Sequence, residues 1–219
     1  LEFYGNNVST YSELKGASTV LPAMVSGAGL IDFGTGLQCR LADLEIGPLG
    51  GLTTVTIASN ELVKLTGDVK WQGLTIDGNL DLNGQRMETS GVLTIAGGID
   101  TPTNSLMVLG GAIDYDGSGW TDGNKVDIMF TGAGATNDFA GQDYKTIMFN
   151  GTGENALNWA TYFGTTNFIV ASDFTPGYDF GCTDLTIATG ATFDADVDEH
   201  QIAGDFNAAG GLIGKSALS

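Results

Sequence analysis

Apolar and polar residues alternate along this chain in short bursts, not in long helical periods. "TVTI" ends at Ile57, "GLTI" at Ile76 and "VLTI" at Ile95, so one burst returns after nineteen residues and again after nineteen. "DLEI" ending at Ile46 and "DLTI" ending at Ile187 are further copies. "KVDIMF" (125–130), "KTIMFNG" (145–151) and "TNFIVAS" (166–172) are looser ones. Each reads apolar–polar–apolar, the two-residue period of a strand with one buried face. Gly or Asn follows most of them, as in "IDGN", "IAGG" and "FNGTG". Those residues tolerate the backbone of tight turns, so a turn is expected at a fixed offset after each strand.

The constant interval selects the architecture. A propeller blade needs about 40 residues. A sandwich spaces its strands by about 8–12 residues without returning one triplet at a fixed distance. A solenoid coil of two or three short strands does return it, stacking equivalent residues at about 4.8 Å. The expected fold is therefore all-β, a parallel β-helix or β-solenoid with coils of nineteen residues, with a β-sandwich as the alternative. Such a chain would form on the order of ten coils, roughly 50 Å long. Residues 1–36 do not follow the repeat and are read as an N-terminal cap or junction, with room for a short helix and a loop. Residues 37–219 are read as the solenoid, whose last segment, "GLIGKSALS", looks like a repeat cut midway. Phe130, Phe139, Phe149, Phe163, Phe168, Phe174, Phe180, Phe193 and Phe206 gather in the second half, which predicts aromatic stacks in a wider part of the core.

Composition narrows the function. Glycine is 34 of 219 residues, roughly double the usual share of about 7%. Charged residues are only 16% and hydrophobic ones 42%, which suits strands and turns better than surface helices. Net charge is −18. The eight basic residues, Lys15, Arg40, Lys64, Lys70, Arg86, Lys125, Lys145 and Lys215, are scattered singly. No basic patch for nucleic acid can be built from them, and the field repels anionic membrane surfaces. No apolar run approaches the length that spans a bilayer. Two cysteines, Cys39 and Cys182, are too few for a disulfide scaffold or a zinc site. A solenoid would hold them many coils apart, so two free thiols are expected.

"DLTIATGATFDADVDEHQIAGDFNAAGG" (184–211) and "WQGLTIDGNLDLNGQRMETSGVLTIAGG" (71–98) resemble repeats of large bacterial, archaeal and phage surface proteins: adhesins, autotransporter-like passengers, tail fibres and tail spikes. The resemblance runs over roughly residues 41–214 and departs from a strict pattern between 100 and 182, where the spacing wanders. It implies an extended extracellular, cell-surface or virion module that spaces, attaches or binds. Its implied partners are copies of itself or neighbouring structural subunits, and surface glycans.

Candidate chemistry is sparse. In "DYDGSGWTDGN", Asp114, Asp116, Ser118, the Trp120 carbonyl and Asp122 fall at the first, third, fifth, seventh and ninth positions of an EF-hand-like loop, which makes calcium the one candidate ligand. Lys125 stands where the bidentate Glu belongs. The alternative is a Gly-rich turn whose Asp side chains cap local N–H groups. "DADVDEH" (194–200) sets four acids beside the only histidine, His200, and reads as a solvated acidic turn ahead of a metal site. "GGLIGKS" (210–216) lacks the first glycine of a phosphate loop, Ala209 standing there. Asp77 and Asp81 are one possible carboxylate pair for glycoside cleavage, as are stacked acids from any two coils. Trp71, Trp120 and Trp159 could stack on sugars or pack on the wall of the solenoid. Asn7 and Asn150 begin glycosylation sequons. No catalytic residue is assigned. The sequence points to a structural module of a virion appendage or extracellular filament, with a carbohydrate-binding or carbohydrate-cleaving β-helix as the alternative.

Overall fold

The computed structural model describes residues 12–15, 31–32, 38–42, 44–46, 49–52, 54–57, 59, 62–65, 67–116, 119–121, 123–139, 143–158, 161–164, 166–195 and 199–213, with side chains from Val55 to Gly211 within those ranges. The chain winds as a parallel β-solenoid with three faces and makes about seven turns between Thr54–Ile57 and Asp184–Ile187. Every strand pair is parallel among the described residues. A typical turn contributes one strand to each face, as Leu74–Ile76, Asn79–Asp81 and Arg86–Thr89 do.

The nineteen-residue burst is the first face. Val55, Leu74, Leu93 and Ile113 are successive register partners, and Ile57, Ile76, Ile95 and Tyr115 form the column beside them. In Leu74–Ile76 the outer two side chains are buried and Thr75 between them is half-buried. Period-two alternation thus sends two side chains inward per strand, each worth roughly 1.5–3 kcal/mol on full burial. Ser12–Lys15 and Ile31–Asp32 already pair into the first and third faces.

The third face is one unbroken sheet of ten strands. Val69, Met87, Met107, Ile128, Ile147, Phe168, Leu185 and Phe206 succeed one another in register. The first and second faces do not run through. Their long sheets end at Ile113–Tyr115 and Gly119–Thr121. The first continues as the pair Thr136–Asn137 with Ala156–Leu157, then as the line Asn155, Phe174, Phe193 and Leu212. The second resumes as Thr161–Tyr162, Phe180–Cys182 and His200–Ile202. The irregularity expected between 100 and 182 therefore touches two faces and spares the third.

Core chemistry explains the difference. Up to Ile113 the interior is mostly Val, Ile, Leu and Met. Beyond it the rings take over: Phe130 stacks on Phe149 at 4.8 Å, and Phe149 on Phe174 at 4.9 Å. Trp120 meets the edge of Tyr144 at 5.0 Å, and Phe168 that of Phe180 at 4.7 Å. Of the nine expected phenylalanines, eight are buried. Phe206 is 45% exposed, because Phe206–Ala208 is the last described strand of its sheet.

Side chains couple the coils where the backbone ladder lapses. The buried amide of Asn137 accepts from Ile113 N at 3.2 Å and donates to Ala135 O and Ala156 O. Asn155 Oδ1 accepts from Ala135 N at 3.2 Å. Aspartates at the corners do the same from outside. Asp68, Asp143, Asp173, Asp179 and Asp184 each accept a backbone N–H one coil onward, from Arg86, Gly164, Thr192, Glu199 and Asp205, at 2.7–3.0 Å. One corner is too tight for any side chain. A Cβ on Gly132 would overlap the Gly110 carbonyl, and one on Gly151 the Gly132 carbonyl.

Candidate functional site

Among the described residues, the outward side of the second face carries a groove of about 460 Å³. Alternation puts Leu80 and Ile99 inward, so their neighbours face out. One outward row runs Leu62, Asn79, Gly98, Gly119, and the other runs Lys64, Asp81, Asp100, Thr121. Gly98 and Gly119 bring no side chain to the first row; the Asn79 amide leans over Gly98, and the space above Gly119 is open. Beneath it, buried Trp120 donates its indole N–H to Thr101 Oγ1 at 3.0 Å, which fixes the wall from inside.

Asp81 and Asp100 are register partners, so their backbones stand one strand spacing apart, about 4.8 Å. Asp81 Oδ2 lies 3.6 Å from Lys64 Nζ, and its Oδ1 accepts Asn83 N at 2.7 Å. The row can accept hydrogen bonds from a hydroxyl-rich ligand. Residues 81 and 100 are nineteen apart, the interval of the repeat itself. Applying that interval to polar positions would have found the pair. Asp77, by contrast, sits exposed at the corner after Ile76, where its N–H donates to Ile57 O.

Of the expected calcium ligands, Asp114 and Trp120 lie in strands of different faces. Asp114 is exposed in the first-face strand Ile113–Tyr115, and Asp116 N donates to Ile95 O at 2.9 Å. Trp120 belongs to the second-face strand Gly119–Thr121. Ser118 and Asp122 lie outside the described residues. Among the described residues no three His, Cys, Asp or Glu side chains form a metal-holding group.

His200 is not part of a solvated turn. It occupies an inward position of His200–Ile202, is fully buried, contacts the Ala195 carbonyl through Nε2, and packs against Phe180 and Phe193. Alternation along the strand overrides the acidic neighbours in sequence. Asp196 and Asp198 lie outside the described residues. Trp71 and Trp120 are core side chains, 1% and 5% exposed, so neither can meet a sugar; Trp159 lies outside the described residues. Asn150 is exposed and Asn7 lies outside the described residues. Cys182 is a buried free thiol. Burial, with Asp184 nearby, pushes that thiol up to about 12. Cys39 lies in Gln38–Ala42, on a coil seven strand spacings away, or roughly 34 Å.

Ion pairs follow the coil register. Lys70 and Glu88 are register partners at 2.6 Å, and Arg86 reaches the same carboxylate at 3.0 Å. The hydrogen bond from Lys70 is the main cause that holds Glu88 below the usual carboxylate range, with Arg86 adding to it. Lys145 meets Asp127 at 2.6 Å. Among the described residues no helix is long and apolar enough to cross a membrane. No family model, curated protein or solved structure matches the chain.

Proposed function

We propose that the chain is a structural module: a rigid acidic rod within a virion appendage (fibre or spike) or an extracellular surface filament, used for spacing, assembly or attachment. The observation that carries this reading is the ten-strand third face, held coil to coil by side-chain clamps as well as by its ladder. A repeat stack gains length without changing its cross-section, because each coil contacts only its neighbours. The −18 net charge keeps such a rod soluble and favours neutral or cationic partners, so contact between copies has to come from coil stacking at their ends, against that charge. Negative-stain electron microscopy of the protein from its native source, in calcium buffer, tests the reading. Filaments, fibres or decorated particles support it. Isolated short rods at every concentration overturn it.

A second reading, a carbohydrate-binding or carbohydrate-cleaving solenoid, is favoured by the groove with Asp81 and Asp100. A retaining glycosidase sets two carboxyl groups about 5 Å apart, and the two aspartates stand on backbones one strand spacing apart. Release of reducing ends from a polysaccharide by the intact chain, abolished in both Asp81→Asn and Asp100→Asn, would establish cleavage.

A further inference from the structure

Away from the groove, the second face carries an aromatic side chain in an unusual seat. Tyr162 is 49% exposed on the outward side of Thr161–Tyr162, whose other residue, Thr161, is buried. Its register partner one coil on is Gly181, and Gln201 follows one coil further. The Tyr162 ring leans over Gly181: a Cβ there would meet ring carbon Cδ1 at 2.6 Å. Any other residue at 181 would lift the ring off the sheet.

The tip of the ring lies near carboxylates. The charges of both Asp179 and Glu199 act on the Tyr162 phenol. Asp179 is itself fixed, since its Oδ1 accepts Glu199 N at 3.0 Å. Glu199 and Gln201 are exposed beside this strand, and Tyr178, 48% exposed, precedes Asp179 in the turn made by Gly177 at φ 74°. One ring face therefore rests on backbone and the other faces water, with carboxylate and amide groups around its rim. The half of the ring laid on Gly181 contributes to the fold, but the open half contributes nothing to it. It is instead held ready for a flat apolar partner at little entropic cost.

We propose that Tyr162, seated on Gly181 and rimmed by Asp179, Glu199 and Gln201, is a subsite for a neutral hexopyranose unit of a glycan. A pyranose in chair form offers a patch of C–H groups on one face and hydroxyls around its edge. The ring takes the C–H face, and the two carboxylates and the amide take the hydroxyls, as sugar recognition by few polar groups requires. The charge of the chain disfavours uronate or sulfated sugars. A single open ring face also favours a flat sugar over an ammonium ion, which gains most from several rings around it. The subsite goes beyond the structural reading and stands independently of whether the chain forms filaments.

The test is calorimetric titration of the full chain with maltohexaose, cellohexaose and N-acetylchitohexaose, with tri-galacturonate and tetramethylammonium chloride as charged comparisons. Binding of at least one neutral hexaose is expected, weakened about tenfold or more in Tyr162→Ala and largely kept in Tyr162→Phe. Gly181→Ala is expected to weaken it as well, by displacing the ring. Circular dichroism of each variant checks the fold, and Glu88→Gln, on the third face, is expected to leave this binding unchanged. Failure of all three hexaoses to bind overturns the proposal. So does hexaose binding that Tyr162→Ala leaves intact, and so does binding of tetramethylammonium alone, which would make the ring a cation platform.

Discussion

The aliphatic coils up to Ile113 and the aromatic coils beyond Trp120 solve one packing problem in two ways. In the first region mostly Val, Ile, Leu and Met side chains, with Trp71, fill the core, and all three faces keep their parallel ladders. In the second, Phe, Tyr and Trp rings fill the core, and only the third face keeps its ladder from end to end. Rings bury more area per residue but need specific offsets, so the coil path bends to them. The lost ladder bonds are replaced by Asn137, Asn155 and the corner aspartates. Regular hydrogen bonding and large side chains thus trade against each other in a coil of nearly constant length.

The sharpest way to break this comparison is to empty one ring. Phe149→Ala is expected to cost about 3–5 kcal/mol, against about 1 kcal/mol for Ile76→Val in the aliphatic region. Chemical denaturation measures both. Because solenoid stability adds coil by coil, Phe149→Ala is also expected to split a single transition into two. A smaller effect is expected at the tight corner. Gly151→Ala forces a Cβ into the Gly132 carbonyl and should cost about 2–3 kcal/mol, whereas Gly119→Ala, with open space around it, should stay within about 0.5 kcal/mol. Next comes the amide that stands in for the ladder. Asn155→Ala leaves the Ala135 N–H without its acceptor and should cost about 1–3 kcal/mol, against about 1 kcal/mol for Asp173→Ala at an exposed corner.

The smallest effect is electrostatic. Glu88 is held below its ordinary range by Lys70 first and Arg86 second. A depressed acid contributes stability above its unfolded pKa, about 4.3, and loses it as pH falls through the folded value. The stability advantage of the native chain over Glu88→Gln is therefore expected at pH 7 and gone near pH 2. Thermal melts at the two pH values check it. In the same chain, Cys182 is expected to stay unreactive toward iodoacetamide at pH 8 until the fold is opened.

The coil interval and the strand type were legible because "LTI" returns at nineteen residues with its inward positions unchanged. The same interval continues through Asn155, Phe174, Phe193 and Leu212, but the polar Asn155 opens the line and no triplet like "LTI" marks it. The corner aspartates were hidden for a different reason. An Asp that accepts an N–H one coil away looks the same in sequence as a solvated one. Tyr162 and Gly181 are also nineteen apart, but the spacing wanders in this stretch, so the register is what joins them. His200 misled because its neighbours are acidic, while its side of the strand is apolar.

Native-state hydrogen exchange of the full chain tests the central claim most directly. If the third face binds both regions into one rod, amides of Asp127–Phe130 and Thr146–Phe149 will be as strongly protected as those of Arg86–Thr89 and Asp184–Ile187. If the middle strands exchange like loops while the flanks stay protected, the sheet is broken between them, and the continuous solenoid is wrong.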